Sequence, residues 1–212
     1  MAPVVSEDYK EKKKLALLQA ARRVFVRKGF IQTTMQDIID EAKVSRGALY
    51  AYFSNLEHVY LELLRVEDQQ DLLYFEPSDS GSSWEQLLHW INDQQVGLQN
   101  GRETLVRANS EFFLSIQDSK EKESLTYIAR RYERIIEALT VFIQRGAAKG
   151  EFNPRLPADS IARCFVSFMD GILLNSSHLG AVYIKIQEQL DALVVTLETL
   201  LCPAKPEERT EK

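Results

Sequence analysis

The chain is short of the residues on which catalysis usually depends. It has three histidines, His58, His89 and His178, and they stand apart from one another. No His-Glu-x-x-His zinc signature and no paired Glu-x-x-His signature of a di-iron bundle occurs. There is no glycine-rich phosphate loop. The two cysteines, Cys164 and Cys202, have no histidine at a suggestive position and form no disulfide framework. They read as buried or partly buried thiols of a reducing cytosol. These absences exclude an enzyme and leave no cofactor and no metal to expect. No run approaches the roughly 20 apolar residues needed to span a bilayer. The most apolar stretch, Ile161 to Leu174, is interrupted by Arg163 and Asp170. The N-terminal "MAPVVSEDYKEKKK" is charged too soon for a secretory signal. A cytoplasmic protein without a membrane segment is the expectation. Sustained strand alternation is missing as well.

What remains is helical periodicity almost throughout, which predicts an all-α fold of about nine helices. The first spans Glu7 to Lys28, with Leu17, Leu18, Ala21, Val24 and Phe25 inward and Gly29 as its stop. Two short helices follow, then a fourth, capped by Asn55 and running to about Tyr74. "EPSDSGSS", Glu76 to Ser83, is a loop of turn formers. Later helices are expected from Trp84 to about Asn100, from Arg102 to about Gln117, and from Asp118 or Ser119 to Gly150. The last two are expected at Ala158 to His178 and Val182 to Leu201. The tail from 203 to 212 is polar and reads as disordered. Charge is polarised along the chain: residues 1–65 carry 11 Lys/Arg and 8 Asp/Glu, and residues 66–212 carry 15 and 23. The basic segment suits phosphate, and the acidic remainder repels it.

The stretch "TTMQDIIDEAKVSRGALYAYF", Thr33 to Phe53, holds two helix starts. Thr33 with Gln36, or Thr34 with Asp37, makes a capping-box pattern. Met35, Ile38, Ile39 and Ala42 form one apolar face. Ser45 caps the next helix, where Leu49 and Phe53 turn inward and leave Arg46, Gly47, Tyr50 and Tyr52 largely outside. Two short helices across a three- or four-residue turn make a helix-turn-helix. In that motif the first turn of the second helix meets base edges in the major groove. The same spacing also suits an ordinary helical hairpin with core tyrosines.

Trp84, Trp90, Phe112, Phe113, Tyr127, Tyr132, Phe165 and Phe168 all lie after the "EPSDSGSS" loop. Trp90, Phe112, Phe113 and Tyr127, with Asn109 and Arg131 as polar neighbours, are the candidates for a small-molecule site between helices. "IARCFVSFMDGILL" and "LDALVVTLETLL" are apolar on nearly every side, so one protomer leaves them short of neighbours. Phe165, Phe168, Ile172, Leu193 and Leu197 are the candidates for a dimer interface.

The motifs "LLQAARRVFVRKGF", "TTMQDI" and "VSRGALYAYF" resemble, in order and register, the DNA-binding domain of the tetracycline-repressor (TetR) family of bacterial transcription regulators. The resemblance implies a helix-turn-helix domain at 1–54 and a ligand-sensing and dimerisation domain at 55–202. It implies a homodimer that binds a palindromic operator in double-stranded DNA and is released by a small-molecule inducer. An activator of the same fold, or a helical protein–protein interaction module without DNA binding, are the alternatives. Carried over by position, Thr33, Thr34, Tyr50 and Tyr52 hold phosphates, Arg46 reads a base, and Gly47 and Ala48 allow close approach. Ser45 and Asn55 complete the DNA-facing set. The chain departs from the family at two places. Lys43 stands where glycine is usual, and its ammonium is placed to reach a phosphate. Leu56 stands where lysine is usual, which removes one phosphate contact.

Overall fold

A computed structural model describes residues 7–75, 81–99, 104–115 and 122–204. Among them nine helices and no strand occur. They are α1 (Glu7–Lys28), α2 (Met35–Ala42), α3 (Arg46–Tyr50), α4 (Leu56–Tyr74), α5 (Ser83–Gln99), α6 (Val106–Ser115), α7 (Lys122–Ala148), α8 (Ala158–Leu179) and α9 (Ile186–Leu201). The helix α9 begins four residues later than its apolar pattern suggests. Residues 181–185 are turns, and Lys185 takes a left-handed backbone before the helix starts. The expected loop at 76–80 and the polar tail from 205 onward lie outside the described residues.

The chain divides into two compact units, residues 1–70 with 102–128, and residues 71–101 with 129–212. Each has its own core, which is why two separate apolar patterns run through one sequence.

In the first unit, α1 contributes Leu17, Leu18, Ala21, Val24 and Phe25, as its spacing requires. Ile38, Leu49 and Phe53 from the helix-turn-helix meet them, all fully buried. Aromatic rings lock this core. Phe25 and Tyr60 lie 4.7 Å apart edge to face, Tyr60 and Phe112 4.6 Å apart, and Phe30 and Phe112 4.8 Å apart. Buried tyrosine needs a partner for its hydroxyl, and Tyr60 donates to Asn109 Oδ1 at 2.6 Å. That bond ties α6 to α4, and α6 also fastens the turn between α1 and α2. Glu111 Oε2 accepts from the Ile31 backbone N–H at 3.0 Å. Gly29 has φ +78, and a Cβ there would collide with the Glu111 carboxylate, so glycine is needed twice over.

The second unit packs α5, the greater part of α7, α8 and α9 around Ile91, Leu139, Phe142, Phe165, Met169, Leu190, Leu193 and Leu197. This core engages most of the residues expected at a dimer interface. Phe165, Ile172, Leu193 and Leu197 are buried within a single protomer, and Phe168 is partly buried against the same core. The physical reason is that α8 and α9 find enough neighbours in α5 and α7. Their all-round apolarity is reduced accordingly: Cys164, Ser167 and Leu174 of α8 and Ala192 and Val195 of α9 face solvent. Cys164, expected to be buried or partly buried, is exposed, while Cys202 is partly buried.

Candidate nucleic-acid interface and small-molecule cavity

The helix-turn-helix is held by caps at each boundary. Thr34, not Thr33, is the N-cap of α2: its Oγ1 accepts from the Asp37 N–H, and the Asp37 carboxylate accepts from the Thr34 N–H at 2.9 Å. Thr33 is 4% exposed, and its hydroxyl donates to the Gly29 carbonyl at 2.6 Å. That bond consumes the hydroxyl locally, so a phosphate-holding Thr33 is corrected to a structural one. Lys43 closes α2 with φ 53, the left-handed conformation in which glycine would be unstrained. Ser45 caps α3, its Oγ accepting from the Ala48 N–H at 3.2 Å. Asn55 caps α4 through the His58 N–H at 2.7 Å.

These caps leave Thr34, Lys43, Ser45, Arg46, Gly47 and Tyr50 exposed, with Ala48, Tyr52 and Asn55 partly so. Electrostatics sharpens the set. Most cations of the basic segment are engaged by carboxylates of their own unit: Lys14 with Glu62, Arg22 with Glu67, Arg23 and Arg27 with Glu41, Lys28 with Asp37. Lys43 and Arg46, on either side of the turn, have no carboxylate partner among the described residues. Arg46 lies over the Tyr50 ring, 5.2 Å from its centroid, a contact that steadies the guanidinium without neutralising it. Leu56, at the first position of α4, packs partly buried against the first unit's core.

The second unit contains a cavity of about 130 Å³. Phe75 and Trp90 form one part of its wall, with Gln94 beside them. The helix α7 gives Arg131, Ile135 and Leu139, and α8 gives Phe165, Val166, Met169, Asp170 and Leu173. The Phe75 and Trp90 ring centroids are 5.4 Å apart, and those of Trp90 and Phe165 5.3 Å. Burial raises the Asp170 carboxyl above the usual aspartate range, and Arg131 offsets this only in part.

Two family models match this chain. "Bacterial regulatory proteins, tetR family" covers residues 17–63, and "Tetracyclin repressor-like, C-terminal domain" covers residues 86–187. The chain belongs to the TetR family. Among its relatives is the HTH-type transcriptional regulator YfiR of Bacillus subtilis, 29% identical over 95% of this chain and 98% of that one. Another is the HTH-type transcriptional repressor KstR2 of Mycolicibacterium smegmatis, 26% identical over 69% of this chain and 71% of that one. The reduced form of E. coli NemR has the same fold, with a TM-score of 0.73 at 16% identity, covering 92% of this chain and 99% of that one. The chain is therefore a TetR-family transcriptional regulator. Among its described residues no helix is long and apolar enough to cross a membrane, and no group of three or more His, Cys, Asp or Glu could hold a metal.

Of the residues expected to bind a ligand, Trp90 and Arg131 line the cavity of this TetR-family body. The other four are placed in the first unit. Phe112 is 0% exposed in its core, Phe113 packs beside it, and Asn109 is bonded to Tyr60. Tyr127 donates to the buried Asp68 carboxylate at 2.6 Å. The aromatic face of α6 is consumed by α1 and α4, so it cannot line this cavity. Sequence reasoning missed Phe75, Gln94 and Asp170. Asp170 had a visible signal: an acid interrupting the most apolar helix has to be paired, solvated or put to use.

Proposed function

We propose that this TetR-family regulator is a repressor that binds a palindromic operator as a homodimer and leaves it when a small-molecule inducer enters the body. The observation that carries the proposal is the exposed start of α3, where Lys43 and Arg46 have no carboxylate partner among the described residues while neighbouring cations are engaged. Thr34, Lys43, Ser45, Tyr50, Tyr52 and Asn55 position the backbone of the duplex. Arg46 donates to a guanine edge, with Gly47 and Ala48 allowing close approach. Residues 1–54 serve as the DNA-binding domain and residues 55–202 as the sensing and dimerisation domain, working in the cytoplasm where the operator is. The repressor assignment is supported by the relative KstR2, which is named a repressor. Dimerisation uses the outward faces of α8 and α9. Ligand release follows from linkage: an inducer that weakens DNA binding by some factor is itself bound more weakly on DNA by the same factor.

Selection of bound duplex from a random pool tests this directly. A recovered palindrome with two half-sites is the expected result, with affinity falling steeply as salt rises. Recovery of unrelated sequences with no common half-site rejects specific operator binding.

A further inference from the structure

The ligand-site reading leaves the chemical class of the ligand open, and the cavity wall itself discriminates between classes. Its size sets the scale: about 130 Å³ compares with the roughly 150 Å³ apolar cavity that accepts one benzene. On that scale one ring fills the enclosed space, a polar arm has to extend toward the solvent-accessible side where Asp170 lies, and a fused polycycle does not fit. The polar groups set the charge. Asp170 projects from an otherwise apolar stretch of α8, lines the cavity and remains accessible to solvent. Among the described residues nothing donates a hydrogen bond to its carboxylate. Arg131 is the other charged group in the wall, and it already has partners within the chain. Arg131 also acts electrostatically on Asp170, and the position in the wall still open to a hydrogen-bond donor is the Asp170 carboxylate. Phe75, Trp90 and Phe165 line the same space with their centroids 5.3–5.4 Å apart in sequence. Aromatic faces attract cations and repel anions.

From this geometry we propose that the inducer is a small lipophilic cation, a one-ring amine whose ring sits among Phe75, Trp90 and Phe165 and whose ammonium donates to Asp170. The proposal rests on the reading of this cavity as the inducer site. Asp170 is then the residue that sets ligand charge, Gln94 supplies a neutral hydrogen-bonding edge, and Arg131 disfavours a second positive charge.

The test titrates the full-length protein calorimetrically near neutral pH with three probes of matched size: phenethylammonium, phenethyl alcohol and hydrocinnamate. Phenethylammonium is expected to bind at least about tenfold more tightly than the alcohol, the gain of a charge-assisted bond with a cation–π contact. Asp170→Asn is expected to abolish that preference. The wild-type ranking of the three probes is a test that needs no variant. A preference for the alcohol or for hydrocinnamate, or a cation preference that survives Asp170→Asn, overturns the cation assignment while leaving the cavity as a ligand site. Failure of all three probes to bind at millimolar concentration overturns the ligand-site reading along with it.

Discussion

At the α2–α3 turn, single residues divide into those that build the head and those left free to meet DNA. Thr33 belongs to the first group, because its hydroxyl is used on Gly29. Arg46 belongs to the second. It lies over Tyr50 and is exposed at the first position of α3. Arg46→Ala is expected to weaken operator binding by about 1–3 kcal/mol and to relax preference at one position in each half-site. Binding to a panel of single-base operator variants checks this, and an equal loss across the whole panel would show a phosphate anchor instead. Gly47 offers a sharper contrast. A Cβ added there meets nothing within 4 Å in the protein, so folding gives no reason for a glycine. Gly47→Ala should therefore hold or raise thermal stability, since alanine favours the helix by roughly 0.5–1 kcal/mol, while DNA affinity falls. Unchanged affinity would remove residue 47 from the interface.

At the scale of the element, α2 depends on its ends. The Asp37 carboxyl is held below the usual aspartate range, first by its hydrogen bond from Lys28, which with the bonds from Thr34 outweighs the opposing effect of burial. A carboxyl whose folded pKa is lowered contributes stability above its unfolded pKa of about 3.9 and loses it as pH falls through the folded value. Asp37→Asn should flatten the drop of the melting temperature on acidification below about pH 4. A drop identical to wild type would mean that other carboxylates govern it. The start of α4 gives a second case. Leu56 replaces an expected lysine, and it packs partly buried against the head core. Leu56→Lys is thus expected to cost about 1 kcal/mol in stability and to leave the salt dependence of DNA binding unchanged. A salt slope steeper by about 0.9 without loss of stability would instead put position 56 at a phosphate. These elements were largely legible in the sequence, because caps and period act locally. Glu7–Lys28, Leu49 with Phe53 inward, and the Ser45 cap all follow from spacing. Lys43 as a left-handed stop was visible only by comparison with the glycine usual there. The boundaries of α6 and α9 were not legible, since residues 181–185 continue an apolar pattern while the backbone turns.

At the scale of the whole molecule, periodicity shows that a face is buried but not what buries it. Phe112 and Trp90 look alike in the sequence, yet one fills the first core and the other lines the cavity of the second. The same ambiguity affected α8 and α9, whose most apolar residues are satisfied by α5 and α7 of their own protomer. An interface must then use what these helices leave outward. On α8 that stripe runs through Cys164, Ser167, Gly171 and Leu174, and on α9 through Ala192, Val195 and Thr199. Small side chains there let helices approach closely, and Leu174 and Val195, 40% and 62% exposed, supply apolar area. A stable dimer should bury at least on the order of 1,000 Å². Val195→Glu and Leu174→Glu should convert dimer to monomer at micromolar concentration with the helical fold and melting transition kept. Leu193→Glu and Leu197→Glu should do something different. Both side chains are only 3% exposed, and an unpaired carboxylate in their place costs about 3–5 kcal/mol, so these variants should melt early or aggregate. Sedimentation velocity alongside thermal melts separates the two pairs. A Val195→Glu protein that remains a dimer would place the interface on another face, and a Leu193→Glu protein that is a well-folded monomer would return it to the buried stripe.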